Sequence, residues 1–207
     1  SQKEIINKRA TDIFEKGTVH QNLIKEYEKI AVNGSEKKFE FPHKCPVCGS
    51  EANRFGDEVA RRCVNAQCPA QVKQRLEHWG QRSAMDIDGL GPKLLSKLVD
   101  KGAVKSIADL YKLGKIQLTS VERMAEKSTR NILDAIEESK ERGLDRVLYG
   151  LGIKYVGSHV ANVLTQNYDS IDEIIDASKE ELEQVDEIGP KIAESIVSFF
   201  DDEQNRE

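Results

Sequence analysis

The thiols of Cys45-Pro46-Val47-Cys48 and Cys63-Val64-Asn65-Ala66-Gln67-Cys68 form two close pairs with fourteen residues between them. That is the ligand spacing of a tetrahedral metal site. Each pair grips one edge of the ion, and the intervening segment folds back to bring the edges together. All four cysteines of the chain lie within these twenty-four residues. Two disulfides in a secreted domain are the rival reading, but the sequence shows no signal peptide and a chain of 207 residues has no need of staples. Four thiolates fill the coordination sphere of zinc, so the expected site is structural, with no open position for water or substrate. His43, just before Cys45, is an alternative ligand in a three-cysteine site; the regular pairs favour Cys45, Cys48, Cys63 and Cys68.

A different chemistry recurs further on. Gly89-Leu90-Gly91 precedes Pro92-Lys93, Met124-Ala125 precedes Glu126-Lys127-Ser128, Val156-Gly157 precedes Ser158-His159, and Ile188-Gly189 precedes Pro190-Lys191. Taking 91, 125, 157 and 189 as equivalent gives spacings of 34, 32 and 32 residues, an internal repeat. A tetratricopeptide solenoid has a similar period, but here the turn is what the repeats share, which points to the turn as the working part. The pattern predicts a helix, a tight hairpin and a second helix. Glycine is expected to supply positive φ and a close approach of the backbone to another molecule. Pro92 and Pro190 fit the first position of a helix, where no N–H is wanted. A helix start leaves N–H groups unpaired and carries partial positive charge, which makes a phosphate site that reads no base. Lys93, Lys127 and Lys191 fall two residues after the key position and add a cation; Ser128 and Ser158 offer hydroxyls. The expected phosphate contacts are therefore Gly89, Gly91, Lys93, Lys127, Ser128, Gly157, Ser158, Gly189 and Lys191. The second repeat has Arg123 and Ala125 in place of both glycines and reads more as a packing element than as a grip.

The elements that position these groups are mainly α. Val19 to Val32 suits a short helix, Phe39-Glu40-Phe41-Pro42 an extended lead-in, and Gly49 and Gly56-Asp57 turns around the short strands of a zinc ribbon. From Ala70 onward the chain reads as helix after helix. Leu94, Leu95, Leu98 and Val99 form one apolar stripe, Ile132, Leu133 and Ile136 a second, Val160, Val163 and Leu164 a third, and Ile192, Ile196 and Phe199 a fourth. Trp79, after His78, is expected to cover the zinc module. The expected plan is an N-terminal segment (1–40), a zinc module (41–70), a compact domain of four hairpin repeats (71–200) and an acidic tail (201–207). Hydrophobic residues make up 38 % and aromatics 6 %, so the core should be modest and aliphatic. No apolar run is long enough to span a membrane, and reduced cysteines suit the cytoplasm.

The net charge of −5 argues against a nucleic-acid partner until it is divided along the chain. Residues 171–207 carry three Lys/Arg against thirteen Asp/Glu, whereas 41–82 carry seven against four. A polyanion would meet the middle of the chain and avoid the tail. A protein-binding adaptor docking through the acidic tail is the alternative. A nuclease finds little support, because no carboxylate cluster beside a histidine stands out.

With these residues assembled, the chain resembles the C-terminal part of bacterial NAD-dependent DNA ligases. The matching run comprises Phe41-Pro42, Cys45–Ser50, Arg62–Asn65, Cys68–Gln71, His78-Trp79, Ala84–Gly91, Ala108–Tyr111, Glu126–Ser128, Leu151–Ile153, Val156-Gly157 and Ile188-Gly189. The resemblance implies a four-cysteine zinc module, four helix-hairpin-helix motifs and a sequence-independent grip on nicked duplex DNA across the minor groove. It also implies service in replication and repair and, as partners, the other domains of a ligase. In that family AMP passes from NAD to a lysine in a K-x-D-G motif, then to the 5′-phosphate of the nick. This chain contains no such motif. NAD would therefore belong to domains of the parent ligase not represented in this sequence, and the chain is not expected to ligate alone. The family places an oligonucleotide-binding barrel before the zinc module, and Gly17-Thr18-Val19-His20 and Leu23-Ile24-Lys25-Glu26 resemble part of it.

Overall fold

The computed structural model describes residues 42–54, 60–121, 125–202 and 205–206. The helix expected over Val19–Val32, the barrel-like segment and the Gly56-Asp57 turn lie outside the described residues. Two compact units divide the chain at residues 66 and 67.

The described residues of the first unit form a ribbon. Strands β1 (Ala52–Arg54) and β2 (Arg61–Cys63) pair antiparallel, with Ala52 opposite Cys63 and Arg54 opposite Arg61. Strands of three residues cannot bury a core, so the ribbon depends on what its turn holds. Between Cys45 and Ser50 the backbone closes a knuckle: Gly49 N–H donates to Cys45 O at 2.9 Å and Cys45 N–H to Ser50 O at 2.7 Å. Gly49 sits at φ +74°, where any side chain would be strained.

The regular elements described in the second unit are all helices. Helix α1 (Pro69–Gly80) starts with a proline in its first turn; α2 (Pro92–Asp100), α3 (Ile107–Leu110), α4 (Lys115–Thr119) and α5 (Glu126–Ser139) follow. Then come α6 (Leu144–Leu151), α7 (Ser158–Asn167), α8 (Ile171–Asp176), α9 (Lys179–Leu182) and α10 (Pro190–Phe200). Two apolar cores hold them. One gathers Leu76, Trp79, Leu95, Leu98, Leu110, Leu118, Ile132 and Ile136, the other Leu148, Leu164, Ile174, Leu182, Ile196 and Phe200. Each fully buried Leu or Ile contributes about 1.5–3 kcal/mol of transfer free energy.

The two cores are copies of one plan. Helices α2–α5 match α7–α10, and their N-caps correspond one by one: Gly91 with Gly157, Ser106 with Ser170, Gly114 with Ser178, Ala125 with Gly189. From Ser106 to Ser128 the match to Ser170–Ile192 runs at a constant offset of 64 residues without a gap. Buried positions follow it: Leu110 with Ile174, Leu118 with Leu182, Thr129 with Ala193, Ile132 with Ile196, Ile136 with Phe200. The short helices need help at their starts. Ser106 caps α3 in a reciprocal box with Asp109, and Ser178 caps α9 in one with Glu181.

Helices α1 and α6 form the seam between the copies. The ring of Trp79 lies where a side chain on Gly150 would have to go, 2.9 Å from its ideal Cβ. His78 Nε2 lies 2.8 Å from Tyr149 O, and Arg146 donates to the carbonyls of Ala84 and Arg82. Trp79 does not serve the zinc module as expected. It is 5 % exposed inside the first core, edge-on to Tyr111, and its indole N–H donates to Tyr111 OH at 3.1 Å. A buried indole needs both an apolar bed and an acceptor, and Tyr111 supplies both.

Candidate metal centre and nucleic-acid interface

The Sγ atoms of Cys45, Cys48, Cys63 and Cys68 lie within 4.8 Å of one another, and those of Cys48 and Cys63 are 3.4 Å apart. Four thiolates at about 2.3 Å from a tetrahedral zinc stand about 3.8 Å from each other, so the donor set fits the ion in number, type and separation. Hydrogen bonds from Ser50 pull the Cys48 thiol down to about 6. Burial, followed by the neighbouring thiols, pushes Cys63 up to about 12. Four thiolates this close together repel one another unless a cation stands among them. A zinc ion would supply the charge that makes them thiolates and would tie the knuckle to β2. Cys68, fully buried, is the residue from which α1 begins, its carbonyl accepting from Val72 N–H at 2.9 Å. His43 is not in the set: its Nδ1 is 2.9 Å from Arg61 Nη1.

The four repeat positions read from the sequence are the N-caps of the four longest described helices after α1. Gly91, Ala125, Gly157 and Gly189 cap α2, α5, α7 and α10, all with extended backbone and none with a side-chain cap. At α2 and α10 the opening proline has no N–H and the third residue donates to the cap carbonyl (Leu94 N–H to Gly91 O, Ile192 N–H to Gly189 O), so there the second-position N–H is the one left for something outside the helix. The positive φ expected of the repeat glycines is absent at three of them. Gly91, Gly157 and Gly189 have φ of −79°, −85° and −84°, which any residue adopts. A Cβ on any of the three would meet nothing within 4 Å. Glycine here bares backbone rather than bending it.

Positive φ falls elsewhere in the hairpins. Gly89 is at +79°, Tyr155 at +67° and Glu187 at +69°, each two residues before an N-cap. At Gly89 a Cβ would lie 2.8 Å from Ile132 Cγ1, so packing as well as φ demands glycine. Tyr155 and Glu187 accept the strained conformation and carry their side chains outward. The spacing of the glycines did not foretell these two residues; their register two places before the caps was the available signal.

Lys93, Lys127 and Lys191 are exposed second residues of α2, α5 and α10, with no ion-pair partner among the described residues. Ser158 opens α7, and Ser128 is exposed in the first turn of α5. The second hairpin is set apart. Its helix opens on Glu126, whose carboxyl is held below its usual range by Lys115 Nζ at 2.7 Å. An anion of the chain's own thus stands at that helix start.

A ribbon with a four-thiol metal set, joined in sequence to duplicated helical hairpins, defines the class: a zinc finger followed by helix-hairpin-helix motifs. Family comparisons agree. Residues 44–70 match the NAD-dependent DNA ligase C4 zinc finger domain, 82–138 the SAM-like helix-hairpin-helix tandem, and 146–207 the helix-hairpin-helix motif. The chain is 42 % identical to a DNA ligase of Bacillus subtilis over 98 % of its own length and 31 % of the relative's. It is 48 % identical to a DNA ligase of Anoxybacillus flavithermus over 83 % of its own length and 25 % of the relative's. The chain therefore matches the zinc-finger and helix-hairpin-helix region of bacterial NAD-dependent DNA ligases, and spans less than a third of those relatives. Among the described residues no helix is long and apolar enough to cross a membrane.

Proposed function

We propose that this chain is the DNA-holding part of a ligase, gripping nicked duplex DNA by its phosphates without reading sequence, in replication and repair. The observation that carries the reading is the set of three bare glycine caps. At Gly91, Gly157 and Gly189 an uncapped helix start coincides with open space where a side chain would stand. Backbone N–H groups at a helix start bind phosphate and cannot distinguish bases. Lys93 and Lys191 add a free ammonium beside two of them. Zinc at the four cysteines keeps the ribbon folded and performs no chemistry on DNA. Strand sealing, NAD and the adenylated lysine belong, on this reading, to the rest of a ligase in the bacterial cytoplasm.

The test is a titration of zinc-loaded chain against nicked, intact and single-stranded DNA at two salt concentrations. Duplex or nicked DNA should bind more tightly than single strands. Affinity should fall steeply with salt, with a slope of about −0.9 per phosphate neutralised. Salt-independent binding, or none to duplex by a folded, zinc-loaded chain, would overturn the reading.

A further inference from the structure

Two residues after each hairpin cap, the chain places Lys93, Lys127, His159 and Lys191. The three lysines are free among the described residues. His159 is not: its Nε2–H donates to Glu187 Oε2 at 2.6 Å. Glu187 belongs to the fourth hairpin, where it occupies the left-handed position two residues before Gly189. At the offset of 64 residues between the copies its counterpart in sequence is Arg123. In sequence register the second copy thus carries a carboxylate where the first carries a cation, and that carboxylate engages the one second-position residue that is not a lysine. The side chains are 70 % and 61 % exposed, so the pair adds little to folding and is open to an arriving anion.

We propose that Glu187 attenuates the DNA grip by holding His159 in place of a backbone phosphate. This rests on the phosphate-binding reading above. Carboxylate and phosphate oxygens accept from the same ring N–H, so the third hairpin can engage DNA through His159 only by displacing Glu187. The displaced carboxylate, carried on the neighbouring hairpin, then faces the phosphate as a like charge. The second copy would therefore hold DNA more loosely than its bare glycine caps alone would allow, and release it more readily.

The experiment measures binding to labelled nicked duplex by fluorescence anisotropy at low and moderate salt. It compares wild type, Glu187→Gln, His159→Gln, the double variant and Glu194→Gln, which removes an exposed carboxylate elsewhere on α10. Glu187→Gln should tighten binding about two- to fivefold at low salt, the change a surface ion pair is worth. That gain should vanish in the His159→Gln background and exceed the gain from Glu194→Gln. An equal gain from both carboxylate variants, or one that survives without His159, would reduce Glu187 to general charge and overturn the proposal. Wild type that binds with Glu187→Gln unchanged overturns this proposal alone. Wild type that binds no DNA overturns the phosphate reading and this inference together.

Discussion

Between Ser106 and Ala125 the first copy carries Lys112, Lys115 and Arg123 against Asp109 and Glu122; over the matching Ser170–Gly189 the second carries Lys179 against eight carboxylates. Inside, the same two stretches are nearly interchangeable, Leu110 with Ile174 and Leu118 with Leu182, each at most 1 % exposed. The copies therefore agree where packing decides and diverge where solvent decides. Their hairpins diverge too. The first copy has free lysines but one hairpin opened by Glu126, whereas the second has two bare glycine caps in an acidic setting. One copy would attract phosphate through Lys93, Lys127 and a single bare cap, the other through two bare caps and Lys191. Fold and surface have been tuned separately on a shared frame.

The most severe test of that separation is to take away the metal. Chelating zinc should unfold the ribbon, since a structural zinc supplies about 10–16 kcal/mol of apparent binding free energy. Both copies should keep their helical circular dichroism, and loss of it would show that their cores do not stand on their own apolar contacts. Next in size, Leu98→Ala and Leu164→Ala delete matched side chains, each 0 % exposed. Each should cost about 2–5 kcal/mol. Hydrogen exchange should report whether the loss stays within the altered copy; deprotection spread evenly over both would make them one cooperative unit.

Gly91→Val and Gly157→Val compare the hairpins directly. Neither φ nor space opposes a valine there, so the fold should hold while the amides are covered. Each should weaken duplex binding by about tenfold, the loss of one charge-assisted contact. Unchanged affinity in a folded variant would retire that hairpin as a contact. Gly89→Ala should instead destabilise the chain, because Ile132 fills the space. The smallest effects belong to the short helices. Ser106→Ala and Ser170→Ala each remove a capping hydroxyl and should cost about 1 kcal/mol by denaturant titration, similarly in both copies. The cap of α9 has a pH signature. Ser178 holds the Glu181 carboxyl below its usual range, so this contribution is present at neutral pH and fades as pH falls through that lowered value.

Much of this was legible in the chain before folding. The cysteine spacing gives the metal set, and the 34-32-32 rhythm marks four helix starts that proved to be Gly91, Ala125, Gly157 and Gly189. The duplication was less visible, because the resemblance between Ser106–Ser128 and Ser170–Ile192 lies in caps and buried positions while the charges between them were exchanged. The positive φ expected at the caps was misread for a physical reason. Sequence cannot tell a glycine that turns, such as Gly89, from one that merely omits a side chain, such as Gly91. Trp79 was misplaced because its partners, Tyr111 and Gly150, are thirty-two and seventy-one residues away.

That tryptophan is the chain's only one. It touches the first core through Tyr111 and the second copy through the space left at Gly150. Its fluorescence is thus a native reporter of the junction. If the copies swing apart, the indole should meet water and its emission shift to the red before a single helical turn is lost. A ligand that draws the copies together would leave that light blue.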